Sequence, residues 1–143
     1  MNVSSILAVK GRDVITSGPQ ATIAEAAGLL AAKRIGAIVI TGAEGKITGI
    51  LSERDVVRAL AAQGAAALTE PVSQYMTRDV VTCTEGAHIS EVMNLMTKGR
   101  FRHLPVESGG RLAGLVSIGD VVKYRLAEID QERAALEQYI ASA

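Results

Sequence analysis

Two short strings in the sequence place a serine three residues ahead of an aspartate, directly after a glycine and two apolar residues. They run from Ser52 to Asp55 and from Ser117 to Asp120. At a helix start this spacing forms a capping box, in which the hydroxyl and the carboxylate satisfy free backbone N–H groups. A helix N-terminus also favours anions, and an ionised aspartate can accept both hydroxyls of a ribose. We predict two capped helix starts, and leave open a second role for them in binding a ribose phosphate.

A second candidate lies at the start of an apolar stretch, where Arg100, Arg102 and His103 bring potential cations together. Arginine forms planar, charge-assisted hydrogen bonds with phosphate, and histidine can add another donor. In the first half of the chain, Gly36 and Ala37 stand at the positions equivalent to Arg102 and His103. We therefore predict that one half supplies cations to a phosphate while the other leaves room. The alternatives are a solvated strand edge and, for Arg100, a contribution to the helix dipole.

Both candidates belong to an internal repeat. Residues 14–16 correspond to residues 80–82, and across residues 45–57 the sequence is identical to residues 110–122 at 6 of 13 positions. A repeat unit of this size does not bury its apolar face alone, so the two copies are expected to share a core.

Each repeat shows the order strand, helix, strand, strand, helix. The predicted strands are 13–16, 35–40 and 47–51 in the first repeat and 79–82, 101–106 and 112–116 in the second. Apolar residues at helical spacing follow each first strand, and each last helix begins at Ser52 or Ser117. The pattern predicts an α/β (α+β) fold of tandem repeats, each with a three-stranded sheet and two helices, packed as a pseudo-two-fold pair.

The predicted division is 1–62 for the first repeat, 63–71 for a linker, 72–125 for the second repeat and 126–143 for a C-terminal amphipathic helix. On that helix, Leu126, Ile129, Leu136 and Ile140 form an apolar stripe. We interpret the stripe as a dimer contact or as a face that packs within the chain.

The composition argues against several classes of function. Fifteen basic and fifteen acidic side chains cancel, and only four residues are aromatic, which argues against nucleic-acid binding. The single cysteine, Cys83, excludes an intrachain disulfide and is predicted to be a buried core residue.

The sequence shows no pattern of catalytic or metal-binding residues. His88 is predicted to be solvated or to cap a helix. No spacing indicates a nucleophile with its base or a metal cluster, so we expect no enzyme activity. The lack of a long apolar run, of a basic N-terminal region and of a signal-peptide pattern predicts a cytoplasmic protein without membrane spans.

Over residues 3–125 the sequence resembles the cystathionine β-synthase-type (CBS) domain pair, also called a Bateman module, in a stand-alone form. The resemblance depends on Arg102-His103-Leu104-Pro105-Val106, on the paired Gly-apolar-apolar-Ser-x-x-Asp strings and on the repeated element order. The chain departs from the family in the order Arg102-His103, since members often have histidine before arginine, and in the Gly36-Ala37 pair of the first repeat.

The resemblance implies regulatory binding of an adenosine compound, AMP or NAD first and ATP, ADP or S-adenosylmethionine next, with no catalytic cofactor. It assigns ribose hydroxyls to Asp55 and Asp120, ribose or phosphate to Ser52 and Ser117, and phosphate to the Arg102-His103 pair. Adenine is expected near Thr16, Ile38, Thr82 and Leu104. The full predicted set is Thr16, Gly36, Ala37, Ile38, Ser52, Arg54, Asp55, Thr82, Arg100, Arg102, His103, Leu104, Pro105, Ser117, Gly119 and Asp120.

The family also implies a homodimer and an unidentified regulated protein that responds to ligand state through a conformational change. Three other functions stay open at this point. One is a structural protein-interaction module in which the capping boxes only cap. The others are a nucleic-acid-binding CBS protein and a small enzyme that acts on the bound nucleotide.

Overall fold

The computed structural model describes residues 1–142, which form two compact units. The first-repeat unit comprises residues 13–81 and 107–113. The described part of the second-repeat unit comprises residues 1–12, 82–106 and 114–142.

The first-repeat unit contains a three-stranded sheet in the order β1-β2-β3. Strand β1 (Thr16–Ser17) pairs in parallel with β2 (Ala37–Thr41), which pairs antiparallel with β3 (Ile47–Ser52). Helix α2 (Ile23–Lys33) follows β1, and helix α3 (Glu53–Gln63) follows β3. Short 3₁₀ turns at Ala43–Gly45, Gly64–Thr69 and Val72–Gln74 complete the unit.

The core of this unit lies between the sheet and its helices. Strand β2 is buried from Ala37 to Ile40, as expected for a central strand made of a continuous apolar run. Its core side chains pack against one face of α2, where apolar residues recur at helical spacing. The buried cluster consists of Ile23, Ala26, Leu30, Ile38, Ile40, Leu51, Val56, Val72 and Met76.

In the second repeat, helix α4 (Ile89–Gly99) leads to the hairpin of β4 (His103–Ser108) and β5 (Arg111–Ser117), and helix α5 (Ile118–Ser142) follows. The predicted first strand at 79–82 does not form. In the first repeat, β1 pairs with β2. At the equivalent place in the second repeat, residues 1–142 form only a parallel bridge between Cys83 and Val106, so this sheet has two strands. The first strand of each repeat is therefore very short. Strand β1 has two residues, and its counterpart in the second repeat is a single bridge.

Helix α1 (Val3–Lys10), which the sequence analysis did not predict, belongs to the second-repeat unit. Asn2 caps it by accepting a hydrogen bond from the backbone N–H of Ser5, and Val3, Ile6 and Leu7 are buried. Leu7 lies so close to Gly114 that a Cβ there would be 2.8 Å from a leucine methyl. Residues 1–12 therefore belong to the second-repeat unit, whereas the predicted division placed them in the first repeat.

The predicted division at residue 125 falls inside α5, which continues without a break from Ile118 to Ser142. No glycine or proline interrupts the chain after Gly119, so local sequence gives the helix no reason to stop there. Among residues 1–142, no helix is long and apolar enough to cross a membrane.

Candidate functional sites at the two helix starts

In the first repeat, Ser52 and Asp55 form a capping box at the start of α3. The backbone N–H and the hydroxyl of Ser52 donate to Asp55 Oδ2 at 2.8 and 3.1 Å. In return, the backbone N–H of Asp55 donates to Ser52 Oγ at 3.3 Å. The predicted cap is confirmed, and it fixes a nearly buried carboxylate at the positive end of a helix.

The second repeat repeats this geometry at the start of α5. Ser117 donates from its backbone N–H and its hydroxyl to Asp120 Oδ2 at 2.9 and 3.0 Å, and Asp120 N–H donates to Ser117 Oγ at 3.2 Å. Each distance differs from its counterpart in the first repeat by 0.1 Å. The two strings therefore build the same local site twice.

One backbone hydrogen bond in each repeat connects the helix start to the residue just before the first strand of the hairpin, β2 or β4. The N–H of Glu53 donates to the carbonyl of Gly36 at 3.0 Å, and the N–H of Ile118 donates to the carbonyl of Arg102 at 2.8 Å. The bond at Ile118 places Arg102 and the half-buried His103 beside the Ser117–Asp120 box. In the first repeat the equivalent residues are Gly36 and Ala37, and the predicted division of roles in phosphate binding stays a prediction.

Lys10 is a site residue that the sequence analysis missed. Its Nζ donates to Asp120 Oδ2 at 2.6 Å and to the carbonyl of Leu115 at 3.0 Å. Burial raises the pKa of Asp120, but hydrogen bonds from Lys10 and Ser117 outweigh it and hold that pKa below its usual value. Lys10 precedes residues 14–16, for which the sequence analysis found a counterpart in the second repeat, so only recognition of α1 as a helix of this unit could have indicated it.

Asp55 in the first repeat has a weaker cationic neighbour. The exposed Arg58 reaches Asp55 Oδ1 only at 3.9 Å, and the hydrogen bonds that this carboxylate accepts within residues 1–142 come from Ser52. Arg54, also predicted for the site, is exposed in the first turn of α3, as Gly119 is at the equivalent place in α5. The two aspartates therefore share a geometry and differ in their charge environment.

Arg100 lies at the C-terminal cap of α4 with a left-handed backbone, φ 55°, and Arg34 takes the same conformation after α2, φ 53°. The left-handed region costs a residue with a side chain roughly 1–2 kcal/mol. Both arginines end a helix and turn the chain toward the next strand. Arg100 thereby directs the chain toward Arg102, and its own predicted phosphate contact stays a prediction.

The remaining predicted residues lie in or beside the strands. Thr16 is exposed in β1 opposite Val39, and Thr82 is half-buried with a polar partner of its own. Ile38, Leu104 and Pro105 are buried strand residues, and the carbonyl of Pro105 accepts from the N–H of Cys83 at 3.0 Å. These positions offer a ligand mainly the edges and backbone of the strands.

Two side chains of possible chemical interest are structural. Burial raises the pKa of the Cys83 thiol to about 11, so it is a protonated core residue at neutral pH, as predicted. His88 caps α4, where its Nδ1 accepts from the backbone N–H of Ser90 at 3.1 Å. Within residues 1–142 no group of three or more histidine, cysteine or acidic residues is arranged to hold a metal ion.

Comparison with known proteins identifies the class. A model of the CBS domain matches residues 3–62 and 72–127, so the chain belongs to the CBS domain family. The CBS-domain-containing protein ATU1752 from Agrobacterium tumefaciens is 54% identical, with a TM-score of 0.84 over 87% of this chain and 99% of that chain. The predicted family and fold class are confirmed.

Two further relatives define how far the similarity extends. A 17.7 kDa protein of Acidianus ambivalens is 37% identical over 106 residues, which are 73% of this chain but only 63% of that curated relative. The CBS domain pair of protein MJ0100, solved in complex with 5′-methylthioadenosine and S-adenosyl-L-methionine, is 28% identical. Its TM-score is 0.78 over 90% of this chain and 98% of that chain.

Proposed function

We propose that this chain is a regulatory module that binds an adenosine-containing ligand through the helix starts of its two repeats. The observation that carries the proposal is the duplicated Ser–Asp box, whose distances agree between repeats to 0.1 Å. A cap alone needs a hydroxyl and a carboxylate at each helix start. It does not need Arg102 and His103, at the start of β4, beside one of them.

Ribose recognition follows from how the aspartates are held. The hydrogen bonds that Asp120 accepts within residues 1–142 end on Oδ2, so Oδ1 keeps its lone pairs for a hydroxyl donor. A ribose diol offers two such donors. Because charged acceptors form the stronger hydrogen bonds, each aspartate is a suitable anchor for the sugar.

Phosphate recognition is proposed for the second repeat. The carbonyl of Arg102 accepts a hydrogen bond from the N–H of Ile118, which places Arg102 beside the start of α5. The helix start adds backbone N–H groups and a positive dipole, which both favour an anion. In the first repeat Gly36 and Ala37 leave the same place without a cation. We therefore expect the second repeat to prefer phosphorylated ligands, and the first to contribute mainly to sugar and base binding.

AMP and NAD are the proposed ligands, followed by ATP, ADP and S-adenosylmethionine. The related pair in MJ0100 was solved with two adenosine compounds, neither of which carries a phosphate, and this supports the adenosine class rather than a particular member of it. The ligand is a signal and not a catalytic cofactor in this proposal.

The output is proposed to be a change in the conformational equilibrium that a regulated protein, still to be identified, responds to. A ligand shifts such an equilibrium only by its differential affinity for the two conformations. A homodimer, a cytoplasmic location and the absence of catalysis stay predictions of the same proposal.

Calorimetry on nucleotide-stripped protein tests the ligand class. AMP, NAD and S-adenosylmethionine are titrated, with GTP as the non-adenosine control. The wild type is compared with Asp55→Ala, Asp120→Ala and the control Asp130→Ala, which changes an exposed aspartate of α5. Each site variant is expected to weaken binding by about 1–3 kcal/mol, the usual effect of losing a bond to a charged group.

The competing function is a structural interaction module, which the complete capping boxes also accommodate. Unchanged affinity in both single variants and in the double variant would contradict the ribose assignment. A lack of binding by every adenosine compound would favour the structural module instead.

A further inference from the structure

Asp120 Oδ2 accepts three hydrogen bonds, more than a carboxylate oxygen usually takes. The backbone N–H and the hydroxyl of Ser117 donate to it at 2.9 and 3.0 Å, and Lys10 Nζ donates to it at 2.6 Å. A carboxylate offers about four acceptor positions over its two oxygens, roughly two on each. A ribose diol can therefore bridge both oxygens of Asp120 only after one of these three donors has left Oδ2.

Lys10 is the donor that can leave. The bonds from Ser117 belong to the capping box at the start of α5, whereas Lys10 takes no part in that cap. The lysine side chain is 38% exposed and has a flexible four-carbon stem. Its backbone, by contrast, is fixed at the end of α1, a helix with buried Val3, Ile6 and Leu7. Only the side chain of Lys10 has to move for Oδ2 to become available.

A purely structural role for Lys10 is the alternative. A lysine in the last turn of a helix interacts favourably with the helix dipole, and Lys10 is the last residue of α1. Its bonds to Asp120 Oδ2 and to the carbonyl of Leu115 would then serve only to dock α1. Docking does not depend on which ligand binds. This role therefore predicts that removing the lysine changes the affinity for every ligand by the same factor.

We propose that Lys10 makes the second repeat selective for adenosine compounds that carry a phosphate, by moving from Asp120 to that phosphate when the ribose binds. A phosphorylated ligand gives the ammonium group a new anion in exchange for the carboxylate. An uncharged adenosine compound breaks the same ion pair and gives the lysine no anion in return. The inference rests on the proposed function and adds to it a residue that selects the ligand class.

The first repeat provides the contrast. Among residues 1–142, Asp55 Oδ2 accepts hydrogen bonds only from Ser52, and the ion pair of Asp55 is a long one of 3.9 Å between Oδ1 and the exposed Arg58. A ribose can bind there without displacing a lysine. The exchange is consequently specific to the second repeat, and the first is expected to distinguish less between adenosine and AMP.

Calorimetry with AMP and adenosine, which differ only in the phosphate, tests the exchange. The titrations use an Asp55→Ala background, in which the second repeat dominates binding. Lys10→Met is expected to weaken AMP binding by about 10-fold or more, the usual effect of losing a hydrogen bond to a charged group. The same variant is expected to strengthen adenosine binding by up to about fivefold, because the ion pair no longer has to break.

The opposite signs of the two changes are the distinguishing result. Neither docking of α1 nor an ordinary phosphate contact produces them. Lys10→Arg keeps the positive charge and is expected to retain the preference for AMP. The matched control, Lys46→Met, removes an exposed lysine of the first-repeat unit and should leave both affinities unchanged.

Equal changes for AMP and adenosine in Lys10→Met, or no change for either, would overturn the inference and leave the proposed function intact. A loss confined to AMP would make the lysine an ordinary phosphate contact and would likewise overturn the exchange. A failure of both compounds to bind the Asp55→Ala background with Lys10 present is a different result. It would contradict the proposed function at the second repeat, and the inference with it.

Discussion

Lys10 Nζ lies 2.6 Å from Asp120 Oδ2, the same carboxylate oxygen that accepts two hydrogen bonds from Ser117 at the start of α5. A lysine from the N-terminal helix thus adds a third hydrogen bond to an oxygen that already accepts two. Among residues 1–142, the corresponding oxygen of Asp55 in the first repeat accepts hydrogen bonds only from Ser52. The repeats differ in the hydrogen bonding of their aspartates as well as in the residues proposed to bind phosphate.

Replacing Lys10 by methionine is expected to strengthen adenosine binding at the second repeat. The lysine must leave Asp120 Oδ2 before a second ribose hydroxyl can bind there, and a partly exposed ion pair is worth about 0.2–1 kcal/mol. Calorimetry with adenosine, which carries no phosphate, should show an affinity increase of up to about fivefold. Lys123→Met, which removes an exposed lysine of α5, is the matched control. Weaker binding in Lys10→Met would instead make the lysine a ligand contact.

The lowered pKa of Asp120 predicts an acid-dependent loss of stability. A carboxyl whose pKa is lower in the folded state stabilises the protein fully above its unfolded pKa, about 3.9 for aspartate, and loses that contribution as pH falls through the folded value. The difference in free energy of unfolding between wild type and Asp120→Asn should therefore be constant above about pH 5 and shrink at lower pH. Denaturant unfolding at several pH values measures it. A difference that does not change with pH would contradict the lowered pKa of Asp120 in the folded state.

Much of each candidate site followed from local sequence. The Ser52–Asp55 and Ser117–Asp120 caps depend on contacts three residues apart, and the buried β2 depends on a continuous apolar run. Such features are determined by the chain near them, so composition and spacing were enough to predict them.

Other features depend on contacts that are remote in sequence. Lys10 and Asp120 are 110 residues apart, so no local pattern connects them. The prediction of a strand at 79–82 was wrong because it relied on local sequence alone. Its sequence suits a strand, but the fold provides only the bridge at Cys83 for it to pair with.

The capping boxes make a separate prediction about stability. Ser117→Ala removes the hydroxyl that accepts from Asp120 N–H, and loss of such a cap typically costs about 0.5–2 kcal/mol. Urea unfolding should show this decrease for Ser117→Ala and a similar one for Ser52→Ala. Ser108→Ala, at an exposed position of β4, should leave the free energy of unfolding nearly unchanged. Equal effects of all three substitutions would contradict a capping role.

The docking of α1 is tested at Gly114, where a Cβ would lie 2.8 and 2.9 Å from the methyl carbons of Leu7. Leu7 is 1% exposed, so its side chain has little space into which it can move. Gly114→Ala is therefore expected to destabilise the protein by about 1–3 kcal/mol, the usual effect of adding a methyl group to a packed core. Gly86→Ala is the control, because a Cβ at that position meets no atom within 4 Å.

A double variant separates this clash from a general intolerance of alanine in β5. Leu7→Ala empties the space that the new methyl group needs, although alone it leaves a cavity and costs about 2–5 kcal/mol. The loss in Gly114→Ala/Leu7→Ala should consequently be smaller than the sum of the two single losses, by an amount that measures the contact. Strict additivity would mean that α1 does not pack against β5 through Leu7. Since α1 also carries Lys10, that result would remove the support for the lysine's position beside Asp120 as well.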